Sequence, residues 1–336
     1  MQIYLAPMEG ITTYIFRNAF EKYYGGVDKY FTPFLTASHL KGRELRDVHP
    51  DNNQVSQVVP QILVNDSKLF LDITRQLAEI GYREVNLNLG CPSGTVTAKG
   101  RGAGFLDRTE ELKRFLYEIY EGAPRVAAEA GAGSVDISIK TRIGMEFLSE
   151  WPDILDIYRK YPISELIIHP RLREEFYSGE IHMDSFIEAF DKIPKETHIC
   201  YNGDVTDIDS YEERMIFLRA LSNDAGYEPA VMIGRGALMN PELIRNLKKY
   251  EALSDEEKLR QTGFDTPDKD TFKAFISEIA DAYVDEMSQE KQVVMKMKEL
   301  WSYFAKGLDL SPRQLKEIHK TSRLAEYKSV VQYILS

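Results

Sequence analysis

"VVPQILVNDSKLFLDITRQLAEIGYREVNLNLG" (residues 58–90) holds two short apolar runs with an amphipathic stretch between them. The runs 58–64 and 84–90 are rich in Val, Ile and Leu and nearly unbroken, the pattern of parallel strands covered on both faces. Between them, Leu69, Phe70, Ile73, Leu77 and Ile80 recur at helical spacing. Asp66 stands where an N-cap is needed, and Gly81 where a helix stops. The stretch predicts one strand–helix–strand unit.

Outward from this unit the beat repeats. Strand-like runs occur at 2–8, 30–36, 136–142, 165–171, 198–204 and 230–236, and residues 207–223 read as a helix. Eight strands alternating with helices over about 240 residues predict a (β/α)8 TIM barrel; a doubly wound open sheet is the alternative. Beyond residue 240 no strand-like run follows. Segments 266–287, 291–308 and 311–336 read as amphipathic helices, the last as two. We therefore expect a catalytic barrel at 1–245 and a small C-terminal helical-bundle domain at 246–336, joined by an Asp/Glu/Thr-rich linker at 254–270.

Composition narrows the function. No run approaches the roughly 20 apolar residues of a membrane span. The start, "MQIYLAPMEG", lacks a basic leader. Two cysteines make no disulfide framework, so the expected place is the cytoplasm, without membrane contact. A net charge of −11 argues against a surface that wraps nucleic acid throughout. Residues 291–336 nevertheless carry nine Lys/Arg against four Asp/Glu, a local balance of +5. Taken alone, that is most simply a solvated helix surface.

Barrel enzymes work at the C-terminal ends of their strands. Those ends here carry Pro7 and Met8, Gln61, Asn88 with Cys91, Lys140 with Arg142, His169 with Arg171, Asn202-Gly203-Asp204, and Gly234-Arg235. The two glycine-bearing turns, the second leading into a helix, suit a phosphate held by backbone N–H groups, with Arg235 as a charged partner. Lys140 suits either a Schiff base or a fixed cation beside an anionic cofactor. Gln61 and Asn88 suit the polar edge of a planar heterocycle. The six histidines show no ligand spacing and no CxxC occurs, so no metal site is expected. Cys200 lies mid-strand like an inert core thiol, whereas Cys91 lies where a strand turns into a glycine-rich loop.

These motifs together resemble a known family. "APMEGIT", "NLGCP" followed by "GRGAGFL", "IKTRIG", "IHPR" with "YSG", "NGDV", "MIGRGALMNP" and the later "LWSYFAKGL" are similar to the motifs of the tRNA-dihydrouridine synthases, in family order, from residue 3 to about residue 310. The chain departs from the commoner pattern at Glu9 and at Pro170. The resemblance implies an FMN-containing barrel, a helical tRNA-binding domain, and NADPH-driven reduction of uridine to dihydrouridine. It implies that Cys91 is the general acid. Pro7, Met8, Glu9, Gln61, Lys140, His169, Asn202, Gly203, Asp204, Gly234 and Arg235 then contact non-covalent FMN. Asn88, Arg142 and Arg171 meet the target base. A thiol suits this chemistry, because hydride added to C6 of uracil leaves C5 in need of a proton. A cysteine of about its ordinary pKa, roughly 8.5, is mostly protonated at pH 7 and so can donate that proton. The +5 tail would hold tRNA over the barrel mouth of a monomeric enzyme. Two rivals are a flavin barrel acting on a free pyrimidine, like a dihydroorotate dehydrogenase, and a non-catalytic tRNA-binding protein.

Overall fold

A computed structural model of the chain describes residues 1–261 and 268–336. Nine strands form one sheet in the order β3-β2-β1-β9-β8-β7-β6-β5-β4, and every pairing is parallel. They are β1 (Gln2–Leu5), β2 (Lys29–Phe31), β3 (Val58–Val59), β4 (Gln61–Ile62), β5 (Glu84–Leu89), β6 (Asp136–Arg142), β7 (Glu165–His169), β8 (His198–Asn202) and β9 (Ala230–Ile233). The two edge strands β3 and β4 are separated by Pro60 alone, so the ends of the sheet meet in one chain segment. Proline has no N–H for the ladder, which breaks one barrel strand into two short ones. Eight barrel positions result, as the sequence predicts.

The opening stretch folds as expected. Its helix runs Ser67–Glu79, and the Asp66 side chain accepts a 2.7 Å bond from Leu69 N–H. Phe70, Ile73 and Leu77 are buried against the sheet. Each strand buries both faces: Ile3 and Leu5 pack outward under the helices, while Tyr4 joins Phe31, Val59, Ile167, Cys200 and Met232 inside the barrel.

The N-terminal end of the barrel is closed by a polar plug. Lys29 Nζ lies 3.1 Å from Glu84 and 3.2 Å from Glu165, and Tyr4 OH donates to Glu165 at 2.7 Å. Buried charges survive when each has partners, and here one ammonium answers two carboxylates.

After the barrel come helices Lys269–Glu286, Glu290–Gly307, Pro312–Lys320 and Leu324–Ile334. A helix at Leu243–Glu251 runs across residue 245, where the sequence put a boundary. The expected linker at 254–270 and the start of the helix expected at 266–287 fall in part on 262–267, outside the described residues. Phe275 packs edge-on against Phe16 and Tyr24 of the first barrel helix (Tyr14–Tyr23) and its end, with ring centroids 5.8 and 5.1 Å apart. Phe272, Trp301 and Phe304 extend that aromatic cluster. Trp301 is fully buried and donates to Tyr327 OH at 2.8 Å, so it is core rather than exposed surface.

Candidate active site

A cavity of about 660 Å³ opens at the C-terminal ends of the strands, within the usual range of small-molecule sites, about 300–1,000 Å³. Pro7, Met8, Glu9, Gln61, Asn88, Cys91, Lys140, Arg142, His169, Asn202, Gly203, Asp204, Gly234 and Arg235 all line it. Arg171 alone among the residues singled out does not. It is buried behind the wall, where Nε donates to Gly179 O at 2.7 Å and NH2 meets Asp204 at 2.5 Å.

Cys91 follows β5 and is held by its backbone. Asn88 Oδ1 accepts from Gly90 N–H at 3.0 Å and Cys91 N–H at 2.9 Å. Cys91 O accepts from Ala103 N–H at 3.1 Å. The glycine-rich loop comes this close because Gly102 adopts a φ of +56°; a Cβ there would stand 2.9 Å from Cys91 Cβ. Burial pushes the Cys91 thiol up, against the opposing pull of Ser93 N–H, Lys140 and Arg142. The group is therefore a protonated thiol at neutral pH. Cys200 is fully buried in the barrel core and its thiol is pushed up further by burial and by Glu165.

Three cationic or potentially cationic groups face the same space. Among the described residues Lys140 Nζ makes no hydrogen bond or ion pair, and burial with Arg142 beside it pushes its ammonium down to about 8. Arg142 is spent on the backbone, donating to Gly90 O at 3.0 Å, Leu172 O at 2.8 Å and Phe176 O at 2.6 Å. It thus ties the Cys91 strand end to the loop after β7. His169 is held neutral by burial and by four surrounding cations, Arg142, Lys140, Arg171 and Arg235.

The corner after β8 and β9 has a different character. Gly234 caps a short helix, Arg235–Met239, whose first N–H groups have no intrahelical acceptor. Asp204 is flanked by Arg171 and Arg235; burial raises its carboxyl, but the two guanidiniums prevail and hold it below the ordinary range. Gly236 is required where it stands, since a Cβ would come 2.0 Å from Val205 O. The Arg235 guanidinium is already engaged by Asp204 and lies 4.8 Å over the Tyr177 ring.

Several lining residues fall outside the predicted site set, among them Tyr177, Tyr303 and Lys306. Tyr177, in the quoted "YSG", also carries Arg142 at 5.5 Å from its ring. Tyr303 and Lys306 reach the cavity from the helix Glu290–Gly307. The motif "LWSYFAKGL" contained both, but only the packing of that helix shows them facing the barrel.

The fold and this mouth define a (β/α)8-barrel enzyme with its polar groups at the strand C-termini. The family model described as "Dihydrouridine synthase (Dus)" matches residues 4–332. A Staphylococcus aureus (strain COL) protein named "Probable tRNA-dihydrouridine synthase" is 30% identical over 288 residues, covering 81% of this chain and 80% of its own. "Probable tRNA-dihydrouridine synthase 2" of Bacillus subtilis (strain 168) is 30% identical over 248 residues, 70% of this chain and 69% of its own. The chain belongs to the dihydrouridine synthase family.

Proposed function

We propose that this protein reduces the C5=C6 bond of uridines in tRNA to give dihydrouridine, with non-covalently bound FMN and with NADPH as reductant. The observation that carries the reading is Cys91: a protonated thiol on the wall of a cavity that Lys140 and Arg142 also line.

The residues present fit a flavin. Among the described residues Lys140 has no hydrogen-bond or ion-pair partner, and its ammonium at the cavity suits the anionic side of the ring system. Met8 and Pro7 give an apolar floor, and Gln61 a polar edge. The backbone at Gly203 and at Gly234-Arg235 suits the single phosphate of FMN. Reduced flavin bound there supplies hydride to C6 of the uracil.

The chain's own groups do the rest. Cys91 gives its proton to C5, which balances the addition. Asn88 fixes the Cys91 backbone through its side-chain oxygen. Arg142 shapes the wall through the carbonyls it binds. Arg171 acts at one remove, by holding Asp204 and with it Arg235. The uridine must leave its stack to enter a mouth of this size. The helices from Lys269 onward, carrying Tyr303 and Lys306 to the rim, form the tRNA-holding unit of a monomer, and their presence at the mouth favours an RNA substrate over a free pyrimidine.

The test is direct. Heat release of the chromophore should yield FMN near one per chain, and incubation with NADPH and unmodified tRNA should produce dihydrouridine. Recovery of FAD or no flavin overturns the cofactor; FMN without dihydrouridine overturns the substrate.

A further inference from the structure

We propose that Glu84, at the closed end of the barrel, is a positioning residue: it sets the direction of a buried hydrogen-bond chain that ends on the Cys91 backbone. Glu84 opens β5 and Cys91 lies two residues beyond its end at Leu89, so the two are separated by a strand length of roughly 20 Å. Yet they are joined through side chains. Asn88 Nδ2 donates to Gln61 Oε1 at 2.7 Å; Gln61 Nε2 donates to Asn86 Oδ1 at 2.8 Å; Asn86 Nδ2 donates to Ser138 Oγ at 3.0 Å; Ser138 Oγ donates to Glu84 Oε1 at 2.9 Å. Gln61, Asn86 and Ser138 are fully buried, so no solvent competes for these bonds.

Three carboxamides and a hydroxyl could in principle run either way, because each carries both donors and acceptors. A carboxylate cannot: ionised, it only accepts. Glu84 therefore makes Ser138 a donor. Ser138 Oγ is left to accept from the Asn86 amide, which turns the Asn86 oxygen to Gln61. The Gln61 oxygen then faces the Asn88 amide. Asn88 is left with its oxygen toward Gly90 N–H and Cys91 N–H. Reversed, Asn88 would set an amide donor against two backbone donors and release the Cys91 turn. Lys29, 3.1 Å from Glu84 Oε2, completes the anchor. One competing acceptor exists, Val85 O, at a longer 3.4 Å from Ser138 Oγ.

The consequence for the reaction rests on Cys91 being the proton donor; the geometry at the thiol does not. The test therefore reads the thiol directly. Glu84→Gln removes the acceptor-only end. Asn86→Asp, added to it, restores an acceptor-only group next to Gln61 without restoring Glu84. The readouts are the pH profile of Cys91 alkylation by iodoacetamide in flavin-free protein, site-resolved by mass spectrometry, and the rate of uridine reduction in the loaded enzyme. Glu84→Gln should move the alkylation profile to higher pH, as Cys91 drifts from Ser93 N–H and Lys140, and slow uridine reduction by roughly tenfold, the worth of about one well-made hydrogen bond to a charged end. The double variant should recover both. Burial, Lys140, Arg142 and Glu9, which also act on the thiol, are common to all variants. Should Glu84→Gln not fold, Ser138→Ala cuts the same chain with no change of charge and should shift the profile alike. An unchanged profile in a folded single variant means that Val85 O suffices as the anchor and overturns the proposal, as does a shifted profile that Asn86→Asp does not restore. A wild-type enzyme that fails to reduce uridine would overturn the proposed function and leave the thiol readout standing.

Discussion

Gly307 lies on the backbone of Met239: a Cβ at Gly307 would stand 1.5 Å from Met239 O and 2.4 Å from its carbonyl carbon. That contact seats the helix Glu290–Gly307 against the short helix that starts at Gly234. It brings Tyr303 and Lys306 to the cavity from outside the barrel. Gly307→Ala must push the helix away, at a cost of about 1–3 kcal/mol by analogy with overpacked cores. A lowered Tm with flavin retained and tRNA affinity weakened is expected. A variant with unchanged Tm and tRNA affinity would show that the helix does not depend on this seat.

Lys140 offers a test of the cavity without any substrate. Its folded value near 8 lies below the roughly 10.4 of an unfolded lysine. Between those values the unfolded chain holds a proton that the folded protein has lost, so the Lys140 contribution favours folding more as pH rises from about 8 to about 10. Lys140→Met removes the uncompensated cation. Flavin-free Lys140→Met should be more stable than wild type at pH 7, with the gap narrowing toward pH 10 in urea unfolding. Flavin affinity should fall in the same variant, since a site built for a ligand is often strained without it. A gap that does not vary with pH removes the assignment of Lys140 as an unpaired buried cation.

The two cysteines should separate cleanly. Cys91→Ala should leave flavin reduction by NADPH intact and slow uridine reduction by roughly 10²–10⁴-fold, the range of general acid catalysis. Cys200→Ala should cost stability rather than turnover, because Cys200 packs in the barrel core. The pH dependence has a fixed sign. A proton donor works only while protonated, so the rate is lost as pH rises through the thiol value. Burial has raised that value above its ordinary one, so the plateau should persist past pH 8. Loss of rate with a midpoint below pH 7 would be incompatible with Cys91 as the acid.

Much of this was legible in the sequence, for a physical reason. Parallel strands buried on both faces write themselves as short apolar runs, and the residue that ends each run lies at the mouth. Fourteen of the fifteen residues singled out, from Pro7 to Arg235, line one cavity. Arg171 fails because strand alternation and the following loop turn it behind the wall, toward Gly179 and Asp204. The split of one barrel strand at Pro60 was visible as a proline but not as the closure of the ring. Lys306 and Tyr303 were hidden because nothing local tells a helix which neighbour it will pack on. The hydrogen-bond chain from Glu84 to Asn88 was hidden because it crosses three strands.

Asp204 joins the strand-end corner to the buried Arg171. Replacing it with asparagine would leave Arg171, only 5% exposed, without its carboxylate. Loss of one partner of a buried pair costs about 3–5 kcal/mol; with Asp204 itself a third open to solvent, about 1–3 kcal/mol is expected. The low carboxyl value also fixes the pH sense. Stability from this pair is present above the ordinary carboxylate range and is lost as pH falls through the depressed folded value. Urea unfolding at pH 7 and pH 3 should show a large wild-type advantage at the first and a smaller one at the second. Equal differences at both would assign the loss to packing instead.

The basic C-terminal helices are not one uniform surface, and their charges should contribute unequally to tRNA binding. Lys298 donates to Thr321 O and so pins the turn before the last helix, while Arg313 pairs with Glu317 one turn along its own helix. Lys316 and Arg323 are exposed, and Lys306 is exposed at the cavity rim. A lysine that contacts phosphate releases a counterion, and its removal lowers the log–log salt slope by somewhat less than about one unit. Lys306→Ala should do this, weakening tRNA binding while leaving the FMN content unchanged. Lys298→Ala should instead lower Tm, with little change of salt slope, because its charge is spent on the protein. Arg313→Ala should do least, since an exposed pair along one helix is worth about 0.3–0.5 kcal/mol. Binding titrations of the three variants at several salt concentrations distinguish these outcomes. If Lys306→Ala binds tRNA as wild type does at low and at moderate salt, the charge of these helices is solvated surface and not the element that holds the RNA.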